Sequence, residues 1–553
     1  MATNTWGPLE RTAAWERLAR SASDPLDLLV IGGGVVGAGS ALDAALRGID
    51  VALVEERDVA AGTSSRSSRL AHGGLRYLEQ LEFALVHEAL TERGLLLDRI
   101  APHLVRPLPF VLPLMSKWQR PYLGTGVQLY DALSRFGGYG GTMPRPHALK
   151  PDHARKLAPG LRVDEWPGGA VTFFDAQIDD ARHTLACVRS AVAAGASVAS
   201  RVKVIDILED GERAVGATVR DTETGAELDV RARCVLSAAG PWTNEILAMA
   251  GHDAKTHVRR SRGVHLVVRG DAIPQGYALI ARTPSSVLFL LPWEHVWLVG
   301  TTDDDWDGDL AEPGVTASDV DYLLGQANRW LRTPLVIDDV VGAYAGLRPL
   351  VADGSESTTK VSREHAIATP LPGLVVISGG KYTTYRSMAE QAVDAVAAQL
   401  GEVGRPITSK CRTDVTPLVG AYGWHLAWER RRETATRLGL SAHEVEHLLR
   451  RHGDRIDRIV ELIEDDSSLR ERVHPDLPYL KAEIVIAVQD EGARTLDDVL
   501  VRRTRIALET RDPSPAVAYT AKTLARALDW GHRRREAEVR AFEQSPRARV
   551  PVA

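Results

Sequence analysis

The chain has 553 residues, which is too long for one compact core and predicts three or four folding units at roughly 150 residues each. Hydrophobic residues make up 44% and charged residues 25% of the sequence, the balance of a globular protein rather than of a disordered or fibrous one. The formal net charge of −6 argues against nucleic acid as a partner.

The three cysteines, Cys187, Cys234 and Cys411, are far apart and belong to no CxxC pair or histidine cluster. This spacing argues against a disulfide framework, an iron–sulfur cluster or structural zinc, so we expect reduced thiols in the core and no metal site. The N-terminal residues lack the apolar stretch of a secretory signal. The longest uncharged run, residues 28–42, is shorter than the roughly 20 residues that span a membrane. We therefore expect a cytoplasmic chain without a transmembrane helix.

Residues 1–25 are polar and predict an N-terminal arm or a short helix. From residue 26, strands alternate with helices in LDLLVIGGG, SALDAALRG and VALVEE, which predicts a βαβ unit and a parallel sheet. Later β-rich stretches with short spacing, VHLVVRG, SSVLFLLPW and HVWLVGTTD, predict an antiparallel sheet in an inserted substrate domain. We expect residues 26–410 to hold both sheets.

Residues 411–545 predict a C-terminal α-helical domain. Ser441 and Glu444 form a capping box ahead of an apolar helical pattern, and the same spacing recurs at residues 495–498. A serine followed by proline at residues 514–515 is a further helix start.

A dinucleotide-binding signature follows the first predicted strand. Gly32, Gly34 and Gly37 form GxGxxG between an apolar strand and a helix, where the backbone can approach a pyrophosphate at the helix N-terminus. Glu55 lies 23 residues after Gly32 and ends the second strand, where a carboxylate accepts hydrogen bonds from ribose hydroxyls and repels a 2′-phosphate. The pattern disfavours NADP and leaves NAD or FAD.

Two later segments favour FAD over NAD. Residues 234–242, CVLSAAGPW, predict a strand that runs into a small-residue turn. Residues 373–386 predict a strand, a turn at Gly379 and Gly380, and a helix that begins at Thr383. A second helix N-terminus near the cofactor would stabilise a flavin edge that becomes anionic on reduction.

Several motifs in order resemble the FAD-dependent glycerol-3-phosphate dehydrogenase family. They are the glycine motif, GTSSRSSRLAHGGLRYLE, GLRPL, GGKYTTYR and LDDVLVRRTRI, and the likeness runs from about Asp27 to about Glu543. The resemblance implies an α/β fold with a Rossmann-like FAD-binding domain, an inserted antiparallel-sheet substrate domain and a C-terminal α-helical domain. It implies oxidation of sn-glycerol 3-phosphate to dihydroxyacetone phosphate by hydride transfer to flavin, with electrons passed to membrane quinone.

The resemblance also assigns site residues. The cofactor-binding set is Gly32, Gly34, Gly37, Glu55, Thr63, Ser64, Ser65, Gly240, Gly380, Lys381 and Thr383.

The substrate's phosphate calls for arginine, and Arg348 and Arg363 match family positions associated with phosphate binding. Arg76 and Tyr77, close to the Gly73–Gly74 turn, are further expected substrate contacts, and Arg76 is also a catalytic candidate. Lys381 is expected to position the substrate or to stabilise negative charge that develops on the flavin or the alkoxide.

The base that takes the hydroxyl proton is expected to be a histidine, because imidazole exchanges a proton near neutral pH. His72 and His265 are the two candidates, with His72 placed first, and the sequence does not choose between them.

The electron acceptor and the partners remain open in the sequence. The alternatives to a quinone-linked dehydrogenase are an oxidase that reduces oxygen and a non-catalytic flavin-binding regulator. Residues 117–136 mix basic, aromatic and apolar side chains, which fits either a segment at the inner face of the cell membrane or a partly buried helix. The helical tail could cover the FAD domain, form a homodimer or regulate.

The acidic run that begins at Asp303 resembles a calcium loop, but its final ligand position falls on Gly314, so we expect no calcium site.

Overall fold

The computed structural model describes residues 9–75, 78, 82–136, 143–251, 258–283, 287–351 and 364–545. The strands, in chain order, are β1 (Leu26–Ile31), β2 (Val51–Glu55), β3 (Leu70–Ala71), β4 (Val105–Leu114), β5 (His147–Leu149), β6 (Gly169–Ile178), β7 (Ser197–Ser200), β8 (Val202–Asp210), β9 (Arg213–Asp221), β10 (Glu227–Ser237), β11 (Val258–Arg269), β12 (Ala278–Arg282), β13 (Val287–Trp293), β14 (Val296–Gly300), β15 (Asp304–Asp305), β16 (Val340–Val351), β17 (His365–Leu371) and β18 (Leu374–Gly379).

The helices, in chain order, are α1 (Arg11–Arg20), α2 (Val35–Leu46), α3 (Phe83–Leu95), α4 (Gln119–Phe136), α5 (Pro151–Leu157), α6 (Asp180–Ala193), α7 (Thr243–Met249), α8 (Ala317–Asn328), α9 (Tyr385–Glu402), α10 (Trp424–Glu429), α11 (Arg431–Leu438), α12 (Ala442–His452), α13 (Ile456–Asp465), α14 (Lys481–Gln489), α15 (Ile506–Glu509), α16 (Ser514–Ala527) and α17 (His532–Gln544).

The first sheet has a parallel centre. Its order is β17-β18-β10-β1-β2-β7, and every pair from β18 to β7 is parallel. In addition, β9 pairs with β10 and β8 pairs with β9. Every residue of β1 is buried, because helices such as α2, α6 and α9 cover the sheet. The βαβ unit predicted from the sequence is β1-α2-β2, and that prediction is confirmed.

The second sheet is mostly antiparallel. Its order is β15-β11-β14-β13-β12-β4-β6-β3, with β16 paired to β11 and one parallel pair between β12 and β4. The three stretches predicted as antiparallel strands are β11, β13 and β14, and they are neighbours in this sheet. The long antiparallel pair β11–β16 forms a wall of the candidate site.

The C-terminal residues are helical from α10 to α17, which completes the predicted fold class. The capping box of Ser441 and Glu444 begins α12, and Ser514 begins α16 with proline in its first turn. No described helix is long and apolar enough to cross a lipid bilayer. The domain limits at residues 25, 410 and 545 stay predictions.

Two expectations differ in detail from the structure. The helix expected at Thr383 begins as a 3₁₀ turn at Tyr382–Thr384, and the α-helix starts at Tyr385. The three cysteines are free thiols, but only Cys187 and Cys234 are in the core, because Cys411 is half-buried in the connection that leads to the helical tail.

Candidate functional site

A cleft of about 540 Å³ lies between the two sheets. Most residues predicted from the sequence line it: Gly32, Gly34, Glu55, Thr63, Ser64, His72, Gly240, His265, Arg348, Gly380, Lys381 and Thr383. Gly37 and Ser65 lie outside the lining. Arg76, Tyr77 and Arg363 lie outside the described residues.

The glycine motif forms one end of the cleft. A Cβ atom at Gly37 would lie 2.0 Å from the carbonyl oxygen of Gly32, so the start of α2 can approach the strand end only without a side chain there. Ser64 Oγ accepts a hydrogen bond of 2.9 Å from the N–H of Val35. Gly34 precedes α2 and faces the cleft with bare backbone.

Glu55 sits where the ribose-binding acid is expected. Its carboxylate accepts hydrogen bonds from the N–H groups of Gly33, at 2.7 Å, and Arg57, at 2.8 Å. Burial raises the pKa of Glu55, and these two donors oppose that shift. Beside it, the Arg57 guanidinium lies 5.1 Å from the ring centre of Trp242.

Arg57 and Trp242 also line the cleft, and the sequence analysis missed both. The available signals were an arginine two residues after the ribose-binding acid and an aromatic residue at the end of CVLSAAGPW.

The turn after β18 closes another side of the cleft. Gly379 and Gly380 have φ angles of 75° and 84°, a left-handed conformation that favours glycine, and they place Lys381 at the start of the 3₁₀ turn. Thr383 Oγ1 accepts a 3.0 Å hydrogen bond from the N–H of His72. This bond connects the turn to the loop that carries the first candidate base.

The β11–β16 pair supplies another wall of the cleft. Side chains alternate across a strand, so β11 residues 261, 263 and 265 share one face with β16 residues 344, 346 and 348, their register partners. Gly263 pairs with Gly346, and both glycines line the cleft together with His265 and Arg348.

Four groups hold the Arg348 guanidinium. Nη1 donates to Ser261 Oγ and to Asp303 Oδ1, each at 3.2 Å, and Nη2 donates to Thr301 Oγ1 at 3.1 Å and to the carbonyl of Thr302 at 3.2 Å. The side chain of Asp303 is only 4% exposed. The guanidinium is therefore oriented before any ligand binds.

The acidic residues of the run that begins at Asp303 stabilise the structure. They form ion pairs with arginines: Asp303 with Arg348, Asp304 with Arg262 and Asp305 with Arg259.

His265 is buried in the wall of the cleft. Its Nε2 lies 2.8 Å from Ser68 Oγ, and its ring stacks on Tyr344 at 5.0 Å between ring centres. Burial, together with the nearby charges of Arg348 and Arg69, lowers the pKa of His265 to about 3. The imidazole is therefore neutral at physiological pH. Nδ1 of His265 is buried without a hydrogen-bond partner among the residues the structure describes.

Comparison with known proteins agrees with this geometry. A family model described as FAD dependent oxidoreductase matches residues 27–386, and one described as the C-terminal domain of alpha-glycerophosphate oxidase matches residues 411–535. A Mycobacterium leprae protein named glycerol-3-phosphate dehydrogenase is 45% identical over 98% of this chain and 91% of its own length. The chain belongs to the FAD-dependent glycerol-3-phosphate dehydrogenase family.

More distant relatives of the same family extend the likeness. The mitochondrial glycerol-3-phosphate dehydrogenase of Mesocricetus auratus is 36% identical over 93% of this chain and 72% of its own. The solved glycerol-3-phosphate dehydrogenase of Bacillus halodurans, complexed with FAD, is 29% identical, covers 98% of both chains and has a TM-score of 0.79. The family is one of enzymes, so the regulator alternative loses its support.

FAD is the cofactor of the family, and the cleft fits it. The volume is in the range of cofactor sites. A Cβ atom at Gly240 would meet nothing within 4 Å, so this glycine leaves backbone open to a ligand, and Gly32 and Gly34 line the same cleft. Val35 begins α2 beside them, where N–H groups favour a pyrophosphate.

Proposed function

We propose that the protein oxidises sn-glycerol 3-phosphate to dihydroxyacetone phosphate and passes the electrons to a quinone. The observation that carries this proposal is the shared wall of the cleft, on which the fixed cation Arg348 and the neutral imidazole of His265 line the cleft beside Gly263 and Gly346. The names of relatives that match nearly the whole chain support the same substrate.

Arg348 binds the phosphate in this proposal. Its guanidinium lies over Gly263, because a Cβ atom at that glycine would be 2.4 Å from Arg348 Nη2. The phosphate then lies two residues along β11 from His265, a separation of roughly 6–7 Å. That spacing suits a three-carbon phosphate ester. Arg363, Arg76 and Tyr77 remain proposed further contacts.

His265 accepts the hydroxyl proton at Nδ1, because Nε2 is already bonded to Ser68. When bound, FAD supplies the acceptor for the hydride that leaves the carbinol carbon. Lys381, which lines the same cleft, stabilises negative charge that develops on the substrate oxygen. His72 is the second candidate base, since it lines the same cleft.

The proposed FAD contacts follow the cleft. Gly32, Gly34 and Ser64 approach the pyrophosphate and Glu55 binds the ribose, while Thr63 and Gly240 line the adjoining wall. Gly380 and Thr383 shape the turn beside the flavin, with Gly37 and Ser65 supporting from behind.

The test of the reaction is product formation by the FAD-loaded enzyme. We expect dihydroxyacetone phosphate from sn-glycerol 3-phosphate and little from sn-glycerol 1-phosphate, with a soluble quinone as acceptor. Rapid oxygen uptake with stoichiometric hydrogen peroxide in the absence of quinone would establish the oxidase instead. Absence of product with every acceptor would refute the proposal.

The proposed site of contact with the cytoplasmic face of the membrane is α4 and the residues before it. Trp118 is 68% and Tyr122 59% exposed, while Val127 and Tyr130 on the same segment are buried. An exposed aromatic face above an anchored helix fits a bilayer interface.

The test compares liposome binding of wild type, Trp118→Ser with Tyr122→Ser, and Tyr422→Ser as a matched control. Tyr422 is 87% exposed and lies in the C-terminal region. We expect loss of binding only in the α4 variant. Unchanged binding of that variant would eliminate this surface.

A further inference from the structure

A continuous series of ring and guanidinium contacts joins the C-terminal region to His265. The Arg505 Cζ lies 4.8 Å from the ring centre of Trp293, and the Arg69 Cζ lies 4.6 Å from the same ring. Arg69 also lies 5.6 Å from the ring of Tyr344, which stacks on His265 with 10° between the planes. We call these five residues the Arg505–His265 series.

The first residue of the series is fixed by carboxylates. Arg505 forms buried ion pairs with Asp179, with Glu294 at 3.0 Å and with Glu509 at 2.9 Å. Asp179 lies next to α6 and Glu294 lies between β13 and β14, so the two sheets and the tail meet at this guanidinium. Arg505 belongs to LDDVLVRRTRI, whose role the sequence left open.

The last residues of the series are fixed by the segment that contains Arg69. The Tyr344 hydroxyl donates a 2.9 Å hydrogen bond to the carbonyl of Ser67, and Ser68 Oγ bonds His265 Nε2. Arg69 has a φ angle of 55°, a costly conformation for a residue with a side chain. One short segment therefore orients both the tyrosine and the histidine, and its arginine contacts Trp293.

The opposite side of the histidine is also packed. A Cβ atom at Gly300 would lie 2.4 Å from His265 Cδ2, so the backbone of β14 limits tilting of the imidazole on that side. The plane of the ring then depends on Tyr344, and the place of Tyr344 depends on Arg69.

We propose that the Arg505–His265 series is a positioning device, in which the C-terminal region holds the His265 ring in its reactive orientation through Trp293, Arg69 and Tyr344. The inference rests on the proposed function in taking His265 as the proton acceptor. It gives the helical tail a part in catalysis without contact to substrate. Trp293 and Tyr344 are positioning residues.

The experiment changes Trp293, in the middle of the series, and leaves the ion pairs of Arg505 in place. Trp293→Leu keeps apolar bulk but removes the aromatic ring that Arg69 and Arg505 contact, whereas Trp293→Phe keeps an aromatic ring. Tyr344→Leu and Tyr344→Phe form a second pair next to the histidine. FAD content and thermal midpoint are measured for each variant, so that only folded, flavin-loaded protein is compared.

One readout is independent of turnover. Diethyl pyrocarbonate modifies neutral histidine, and mass mapping of the peptide with His265 gives the rate at that residue alone. We expect modification at least 5-fold faster in Trp293→Leu and Tyr344→Leu than in wild type, with both phenylalanine variants within 2-fold. Equal rates in all folded variants would overturn the proposal.

The kinetic readout separates positioning from general stability. We expect Trp293→Leu to lower kcat at least 10-fold with less than a 3-fold change in KM. The groups that face His265 are Arg348, Arg69, Tyr344 and Ser68, and Lys381 lines the same cleft. Burial holds its pKa low. If the packing around His265 is loosened, the imidazole is less desolvated and its pKa rises. The acidic limb of the kcat/KM profile should therefore move upward by about one pH unit.

The two proposals fail differently. If wild-type enzyme does not oxidise glycerol 3-phosphate, the proposed function is wrong, while the modification rates still test the series. If wild type is active and the leucine variants match it in kcat, pH profile and modification rate, the series is wrong and the function stands.

Discussion

His265 and Arg348 lie on the same face of two paired antiparallel strands, His265 opposite Tyr344 and Arg348 opposite Ser261. The arginine bends back over Gly263, so its guanidinium is one same-face position from the imidazole. A Cβ atom at Gly263 would lie 2.4 Å from Arg348 Nη2, so the guanidinium can take this position only above a glycine. This relationship places a fixed cation and the proposed proton acceptor roughly 6–7 Å apart along one wall of the cleft.

Arg348→Ala should chiefly raise KM for glycerol 3-phosphate. Losing one partner of a buried charged contact costs on the order of 2–5 kcal/mol, which corresponds to roughly 30-fold to several thousand-fold in KM. Steady-state kinetics measure the effect, with Arg259→Ala as the control, since Arg259 pairs with Asp305 and does not line the cleft. An unchanged KM in Arg348→Ala removes Arg348 from the site.

Gly37→Ala should lower the stability of the fold, whereas Gly34→Ala should weaken FAD binding. The new Cβ at position 37 would meet the carbonyl oxygen of Gly32 at 2.0 Å, so we expect a lower thermal midpoint even without FAD. At position 34 it would meet only Ser64 Oγ, at 3.2 Å, so we expect near-normal stability of the apoprotein but at least 10-fold weaker FAD binding. Calorimetry and flavin titration distinguish the two. If the two substitutions changed the thermal midpoint and the FAD affinity to the same extent, the different roles given to Gly37 and Gly34 would be wrong.

The protein should lose stability on acidification below pH 6.5. Burial lowers the pKa of His183 to about 3, whereas an unfolded histidine titrates near 6.5, so unfolding takes up a proton between these values. Stability therefore falls as the pH drops, by about 2 kcal/mol at pH 5 for this residue.

His183→Asn tests this pH effect. The amide can replace the Nδ1 contact to the Tyr382 hydroxyl, which is 3.0 Å long, and it does not titrate. Denaturant unfolding at pH 7 and pH 5 should show a smaller decrease in the variant. An equally large decrease would mean that His183 titrates normally in the folded protein.

Asp58→Ala should disrupt the contact between the tail and the FAD-binding sheet. Asp58 is buried and accepts hydrogen bonds from Arg502 at 2.6 Å and from Arg503 at 2.7 Å. Its removal leaves two buried guanidinium groups without this partner, a loss of about 3–5 kcal/mol. Asp164→Ala, in an exposed pair with Arg155, should change the thermal midpoint little. Similar midpoints for both variants would show that the buried pair does not stabilise the interface.

The sequence predicted the architecture well because local patterns determine it. Strands that alternate with helices around Gly32 and Glu55 usually form a βαβ unit in a parallel sheet. The capping box at Ser441 directly marks a helix start. Cys411 was misplaced because burial of a connecting segment depends on tertiary packing, which composition does not show.

The contacts around His265 could not be predicted from the sequence, because they too depend on tertiary packing. Ser68 and Tyr344 are more than 200 residues apart in the chain, and the β11–β16 register places Tyr344 opposite His265. The sequence named His72 and His265 as candidates with His72 first and did not decide between them, because residue type alone shows neither burial nor hydrogen bonding.

The most direct test is an anaerobic visible spectrum of the purified, FAD-loaded protein before and after addition of sn-glycerol 3-phosphate. We predict that the oxidised flavin band bleaches in wild type and bleaches far more slowly in Arg348→Ala at the same substrate concentration. A yellow wild-type protein whose spectrum stays unchanged with this substrate would contradict the proposed function.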